Sequence, residues 1–374
     1  MVSVFMKPKL VLIGGFLGSG KTTLLLRLGE ALTNEHGKRV VMITNDQGEV
    51  LVDSVIAKDY GFETAEIIRG CFCCNFQIFI KHAQKILEEL RPDVILAEPV
   101  GSCSGLMPTL YRPIQEFYSG EFKLAPLIIM VDASRLLKLH QEINLLDAGD
   151  PIAYLIASQI KEGEIMCINK VDLVDDSTIM DTLSLLRRMR PEAEFVLTSA
   201  KFNVGVDKVV DVILKGVSRR LPYPDVDMIK YTEAELELAW FDGLYEVKSE
   251  GSFNPMDFIK EVLEDVVGQI ASHNGFIAHV KAYLRTPNRA FKASVTSTDS
   301  NVDIGGPESV EHTNSGVLLV NARVKLSPEK LSEIVNIALE KKALKYNVTL
   351  PKIRAEAYRP KPPKPQFYIP YSRG

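Results

Sequence analysis

Short apolar runs separated by amphipathic stretches set the organisation of this chain. Strand candidates recur near residues 9–14, 38–44, 65–69, 93–98, 126–132, 164–169 and 194–198, with helical patterns mostly between them. The first, Leu10-Val11-Leu12-Ile13, is continuously apolar, as expected of a parallel strand buried on both faces. After it, Lys21 to Leu32 carries leucines at near-helical spacing, weakened by Gly29 and stopped at Gly37, and Phe76 to Leu90 is a second amphipathic helix pattern. The weaker stretch from Glu142 to Gly149 reads as a surface loop. Strand alternating with helix predicts an α/β fold, a doubly wound and mainly parallel sheet, with ligands held outside the carboxyl ends of its strands.

The pattern changes after Pro222-Tyr223-Pro224-Asp225, where two prolines follow Arg219-Arg220 and stop any helix. Beyond it come strand-like Leu236 to Val247, helix-like Pro255 to Ile270, strands Ile277 to Leu284, Phe291 to Ser297 and Val317 to Val324, then helix Pro328 to Leu344. That order predicts a smaller α+β domain, with one helical layer on a mostly antiparallel sheet and a ferredoxin-like arrangement among the candidates. The expected division is a first domain over residues 1–221, a linker over 222–230 and a second domain over 231–374. Five prolines between Pro360 and Pro370 give that second part an extended tail, lying over its own domain or over a partner.

The segment Gly15-Phe16-Leu17-Gly18-Ser19-Gly20-Lys21-Thr22 fits Gly-x-x-x-x-Gly-Lys-Thr directly between the first strand and the first helix. Glycines let backbone N–H groups turn inward around phosphate oxygens, Lys21 supplies charge near the β- and γ-phosphates, and Thr22 offers a hydroxyl to Mg²⁺. Gly15, Gly18, Ser19, Gly20, Lys21, Thr22 and Thr23 are the candidate phosphate-binding residues. A plain tight turn would need neither the lysine nor the threonine.

A later strand ends in Asn169-Lys170-Val171-Asp172, an Asn-Lys-x-Asp string. A carboxylate at that place accepts two hydrogen bonds from the N1–H and exocyclic amine of guanine, a pattern adenine does not offer. The implied nucleotide is GTP or GDP. Earlier in the chain, Glu98-Pro99-Val100-Gly101 closes the apolar run Val94 to Ala97, where a P-loop enzyme needs a carboxylate on the Mg²⁺ side and a glycine that senses the γ-phosphate. Cys71-Phe72-Cys73-Cys74 places three of the five cysteines within four residues. Thiolates so closely spaced suit Zn²⁺, leaving one of four tetrahedral positions to another donor; the bland alternative is three small core residues.

In this order the four elements resemble the CobW-like GTPases, metal-homeostasis relatives of the UreG and HypB nickel-insertion chaperones. Gly70-Cys71-Phe72-Cys73-Cys74 matches that family's metal motif, and Glu98 to Gly101 its switch motif, Glu-x-x-Gly. Asn45-Asp46-Gln47-Gly48-Glu49 matches the first switch, with Asp46 a shortened carboxylate where the family has Glu. The resemblance implies catalytic roles for Lys21, Thr22, Glu98 and Gly101, guanine contacts from Asn169, Lys170 and Asp172 and from the loop Ser199-Ala200-Lys201, whose Ala200 N–H would meet guanine O6, and metal contacts from Cys71, Cys73, Cys74, Asp46, Glu49, Thr22 and Glu98. Where the family continues with apolar and Pro residues, this chain has Ser102-Cys103-Ser104-Gly105, so Cys103 is either a fourth thiolate or a small packing residue. Cys167, mid-strand, reads as core. The six histidines form no tract; His273 and His279 read as surface or hydrogen-bonded residues before metal ligands.

Composition narrows the function further. With 374 residues and 46% hydrophobic content the chain can bury a substantial core, and a net charge of −4 gives no field favouring nucleic acid or anionic membrane. No apolar run approaches the roughly 20 residues of a membrane span, and Met1 to Lys9 lacks a secretory pattern, so a cytoplasmic location with reduced thiols is expected.

The resulting expectation is a GTPase, slow without a partner, that carries a divalent ion (Zn²⁺, with Co²⁺ and Ni²⁺ open) and gates its release to a client metalloprotein or cofactor-assembly protein by nucleotide state. Gln47 is one candidate for orienting water, though it reads as a solvent-exposed side chain first. A homodimer is left open. The alternatives are a GTP-switched docking module with a structural zinc site, an accessory GTPase of cobalamin-related cofactor assembly and, more distantly, a small-molecule kinase.

Overall fold

The computed structural model describes residues 7–45, 57–67, 70–147, 149–219, 221–305 and 312–371. They fall into two compact units: the first runs to Ala234 and takes in the tail from Pro363 onward, and the second spans Glu235–Pro362. The tail was grouped with the second domain by pattern alone; its contacts are with the first.

Among the described residues of the first unit, eight strands form one sheet: β1 (Lys9–Gly15), β2 (Val40–Asn45), β3 (Glu63–Ile67), β4 (Val94–Glu98), β5 (Lys123–Leu124), β6 (Ile128–Asp132), β7 (Ile165–Asn169) and β8 (Glu194–Leu197). Their order is β3-β2-β4-β1-β6-β7-β8, with β5 also on β1, and the pairings are parallel. The helices are α1 (Lys21–Asn34), α2 (Phe76–Leu90), α3 (Arg112–Phe117), α4 (Ala133–Ile143), α5 (Pro151–Glu162), α6 (Asp176–Met189), α7 (Val206–Lys215) and α8 (Met228–Glu237). Leu10 to Ile13 are fully buried, as their unbroken apolar run demands. Strand order reverses at β1, and that switch point is where a doubly wound sheet opens a crevice for ligand. β5 is two residues long and leaves no trace in the pattern.

The second unit is antiparallel. Its strands are β9 (Ala239–Phe253), β10 (Phe276–Arg285), β11 (Ala290–Val295), β12 (Asp303–Gly305), β13 (Thr313–Lys325), β14 (Val348–Thr349) and β15 (Lys352–Tyr358), with helices α9 (Pro255–Ser272) and α10 (Pro328–Tyr346). The order β15-β9-β13-β10 with a helix after β9 and another after β13 is ferredoxin-like, and β11 with β12 extends it beyond β10. Phe258, Val262 and Val266 of α9 and Leu331 and Val335 of α10 share one core with Val280, Ala282, Val320 and Ala322. Leu236, expected at the head of a strand, lies in the last turn of α8, which itself begins inside the expected linker.

Glu162, at the end of α5, is buried and accepts the Met107 N–H at 2.9 Å. Burial pushes its carboxyl up to about 8 from the ordinary 4.5. An acid raised in the fold binds its proton more tightly there than when unfolded, so its contribution is fullest below the ordinary value and fades as pH climbs towards 8. Between about pH 5 and 8 the wild type should therefore lose stability that Glu162→Gln keeps, by something on the order of a few kcal/mol. Urea unfolding of both proteins across that range checks it; parallel slopes would refute it.

Candidate nucleotide and thiol site

The loop after β1 is shaped by close approach. Gly15 (φ 128°) and Gly20 (φ 98°) lie in the left-handed region; a Cβ on Gly15 would sit 2.3 Å from Met130 O, and one on Gly20 2.3 Å from Asn169 Nδ2. Gly20 caps α1 with no side chain to occupy the first amide groups of the helix. Lys21 is buried with Nζ 3.4 Å from Phe16 O, and the Ser19 hydroxyl is buried with no hydrogen-bond partner among the described residues. A helix N-terminus with no side-chain cap, a buried cation and a buried hydroxyl around one cradle fit a phosphate chain.

Thr22 Oγ1 donates to Glu98 Oε1 at 3.1 Å, so the P-loop hydroxyl and the carboxylate at the end of β4 meet directly. Two hard oxygen donors at the phosphate cradle fit Mg²⁺. A Cβ on Gly101 would lie 2.8 Å from Leu17 Cδ2 and 2.9 Å from Lys21 Nζ, so this backbone runs close beside the P-loop lysine.

Asn169 joins three segments at the base end. Its Nδ2 donates to Ser19 O at 2.8 Å, and its Oδ1 accepts the Ala200 N–H at 2.9 Å and the Thr198 hydroxyl at 3.2 Å. The Ala200 amide is thus engaged within the protein in this geometry. Asp172 accepts from Ser199 Oγ, which steadies its carboxylate beside the same loop. Lys170, in left-handed conformation (φ 64°), pairs with Asp132 at 2.6 Å. Lys201 sits over the Phe202 ring at 5.8 Å. The Asn169 and Asp132 contacts had no signal in the spacing, since each links segments far apart in the chain.

The thiols gather at the carboxyl end of the same sheet. Cys71 Sγ lies 2.8 Å from Cys73 Sγ and 3.1 Å from Cys74 Sγ, and Cys73 and Cys74 are 3.9 Å apart. They are the sole cluster of metal-ligating side chains among the described residues. Asn45, at the end of β2, pins their turn: Nδ2 donates to Ile67 O at 2.9 Å and Gly70 O at 2.7 Å, and Oδ1 accepts the Phe72 N–H at 3.0 Å. Hydrogen bonds from Cys103, Cys73 and Cys74 hold the Cys71 thiol well below the ordinary thiol range. The other two are raised: Cys73 stands well above that range, through Cys103 first and Cys71 next, and Cys74 is pushed up to about 11, chiefly by its bond to Cys71. Soft donors converging on one point, one of them readily ionised, fit a thiophilic divalent ion. Cys167 is fully buried in β7, where burial alone raises its thiol to about 12, as expected of core. His273 is hydrogen-bonded to Gln269 O at the end of α9.

Residues 9–197 match the nucleotide-binding domain of the CobW/HypB/UreG family. The chain belongs to that family. It is 26% identical over 254 residues to a zinc-regulated GTPase metalloprotein activator of Dictyostelium discoideum, covering 59% of this chain and 51% of that protein. It is 33% identical over 190 residues to the zinc chaperone CobW of a Sinorhizobium species, covering 44% and 51% respectively. The chain thus spans about half the length of these curated relatives. The solved structure of Zn(II)-bound YjiA GTPase from E. coli aligns over 89% of this chain and 99% of its own at 15% identity with a TM-score of 0.40, too low to carry any argument.

In this CobW/HypB/UreG chain the tail lies along the thiol turn. Lys364 N–H donates to Cys74 Sγ at 3.2 Å, Gln366 N–H to Cys73 O at 3.0 Å, and Gln77 N–H to Gln366 Oε1 at 2.8 Å. Phe367 packs against Phe76 and Phe117, with ring centroids 4.9 and 5.6 Å away. Pattern reading found the tail extended but not its target, because backbone amides make the contacts. Asp46, Gln47 and Glu49 lie outside the described residues. No helix among the described residues is long and apolar enough to cross a membrane.

Asn169→Ala should release the P-loop from the loop at Ala200, lowering GDP affinity at least about tenfold, or roughly 1.4 kcal/mol, while the protein stays folded. Titration with a fluorescent GDP analogue checks it; unchanged affinity would show that the tie is dispensable.

Proposed function

We propose that this protein binds and hydrolyses GTP and uses nucleotide state to govern its hold on a divalent transition ion, carried as cargo for a client metalloprotein. The observation that carries this reading is how near the Gly101 backbone runs to Lys21, where an added Cβ would come within 2.9 Å of Nζ, because it places the loop after β4 beside the lysine of the phosphate cradle. A γ-phosphate there would meet the Gly101 amide, and its loss on hydrolysis would free the loop. Lys21 and the α1 amide groups neutralise phosphate charge, Thr22 and Glu98 hold Mg²⁺, and Asp172 reads guanine. When bound, Mg²⁺ offsets charge on the phosphate oxygens during transfer to water. Without a described residue assigned to orient that water, turnover is expected to be slow until a partner assists.

The cargo reading rests on the thiol cluster and agrees with the names of the zinc chaperone and metalloprotein-activator relatives. Thiolates favour Zn²⁺; Co²⁺ remains acceptable to the same donors, and Ni²⁺ would draw on nitrogen or oxygen donors besides. Burial of Cys71 and Cys73 favours a second reading, a structural zinc clasp in a GTP-switched docking module.

Two measurements bear on this. Asp172→Asn should weaken GTP binding by two or more orders of magnitude, as expected when a bidentate hydrogen-bonding group is lost, while ATP binding stays negligible in both proteins. Competition binding with the two nucleotides tests the base assignment, and equal GTP affinity would remove it. Zn²⁺ affinity, read against a chelating dye under reducing conditions, should differ at least about tenfold between Mg²⁺-GDP and a non-hydrolysable GTP analogue, about 1.4 kcal/mol of coupling, and Cys73→Ser should abolish the difference. Tight binding indifferent to nucleotide would give the structural clasp instead.

A further inference from the structure

We infer that tail residues 363–371 form a releasable strap over the thiol turn, so that an ion or a partner's donor reaches Cys74 only when the strap lifts. The part of this that concerns ions rests on reading Cys71, Cys73 and Cys74 as a metal site. Cys71 and Cys73 are buried and Cys74 is half-buried, so Cys74 is the one approached from solvent. The tail sits on that approach. In Pro363-Lys364-Pro365-Gln366 the prolines carry no N–H, and both N–H groups that remain are spent on the turn, Lys364 on Cys74 Sγ at 3.2 Å and Gln366 on Cys73 O at 3.0 Å. The Gln366 side chain adds a third tie. Its Oε1 accepts the Gln77 N–H at 2.8 Å in the first turn of α2, where Asn75 provides no side-chain cap.

Anchors beyond the turn seat the strap. Phe367 packs its ring on those of Phe76 and Phe117. Ile369 N–H donates to Pro108 O at 2.9 Å, Ile369 O accepts the Tyr223 hydroxyl at 2.8 Å, and the Tyr368 hydroxyl accepts the Val226 N–H at 2.9 Å. Yet the segment belongs to no strand or helix, and from 364 to 370 its residues alternate between exposed and half-buried, with none fully buried. A segment held by separate bonds and one half-buried ring opens at a small part of the free energy of global unfolding. Its prolines keep it extended when detached, so reseating costs little chain entropy. The strap can therefore open and reclose with the fold intact. If it must lift before an ion passes in either direction, it slows arrival and departure by the same factor and leaves affinity unchanged. A tail that only steadied the Cys74 thiolate through the Lys364 N–H would change affinity instead.

The test uses the reduced full chain as wild type, Phe367→Ala and Tyr223→Phe. Alkylation of the metal-free protein by iodoacetamide is followed at Cys74 by peptide mass spectrometry, and Zn²⁺ uptake and release are timed against a chelating dye. Phe367→Ala should label Cys74 at least about tenfold faster than wild type. Tyr223→Phe, whose bond to the strap is at Ile369, should act in the same direction by a smaller factor. Zn²⁺ uptake and release should quicken together, with affinity unchanged. Cys167, fully buried in β7, should stay unlabelled, which separates lifting of the strap from unfolding; if Phe367→Ala exposes it, Tyr223→Phe decides. Unchanged labelling of Cys74 in both variants would overturn the strap. Lower Zn²⁺ affinity with unchanged uptake would overturn it too, making the tail a support for the bound thiolate. If no form takes up Zn²⁺, the metal-site reading falls, and alkylation alone decides whether the tail shields Cys74.

Discussion

Parallel pairing on both flanks of β1 is the constraint from which the site follows. Because β1 aligns with β4 on one side and β6 on the other, and β2 with β3 and β4, the strands end together and their loops leave from one edge. Hydrophobic burial drives that alignment: Leu10 to Ile13, Ile95 to Ala97 and Ile165 to Ile168 are all at or below 1% exposure, and a slip of register would bring polar loop residues into the sheet. The phosphate cradle after β1, the carboxylate at the end of β4 and the thiols beyond β3 then become neighbours without any one segment having to reach far.

On that edge a few polar side chains convert proximity into defined geometry. Asn169 ties β7 to the P-loop and to the loop after β8, Asn45 ties β2 to the thiol turn, and Gln159 ties α5 to the loop after β4. Each amide faces backbone groups that would otherwise be buried unpaired, so loss of one costs more than the bond itself. Such ties favour discrete arrangements over gradual deformation, and a nucleotide can bias only a protein that has distinct arrangements to choose between.

What the sequence disclosed and what it hid divide along physical lines. Lys21, Thr22, Glu98, Asp172 and the cysteines were legible because chemistry demands those side chains at those spacings, and the strands of the first unit because burial on both faces leaves unbroken apolar runs. Asn45, Gln159 and Asp132 were not, since an amide or carboxylate that braces a loop from another element leaves no local pattern. The tie at Ala200 was hidden for the same reason: its amide meets Asn169, thirty-one positions away. Leu236 was placed in a strand because its apolar neighbours fit either period, and α8 continued through it. The short strands β5, β12 and β14 are made by pairing and not by composition.

The hydrogen bond from Lys364 to Cys74 spans 290 positions of sequence. A chain emerging from the ribosome therefore exposes the thiol turn, and makes the P-loop and the Asn169 loop, long before it can make the backbone that covers Cys74. The interval leaves that sulfur open to whatever ion or oxidant it meets first. Reducing conditions during synthesis thus bear on whether that sulfur reaches its covered place as a thiol.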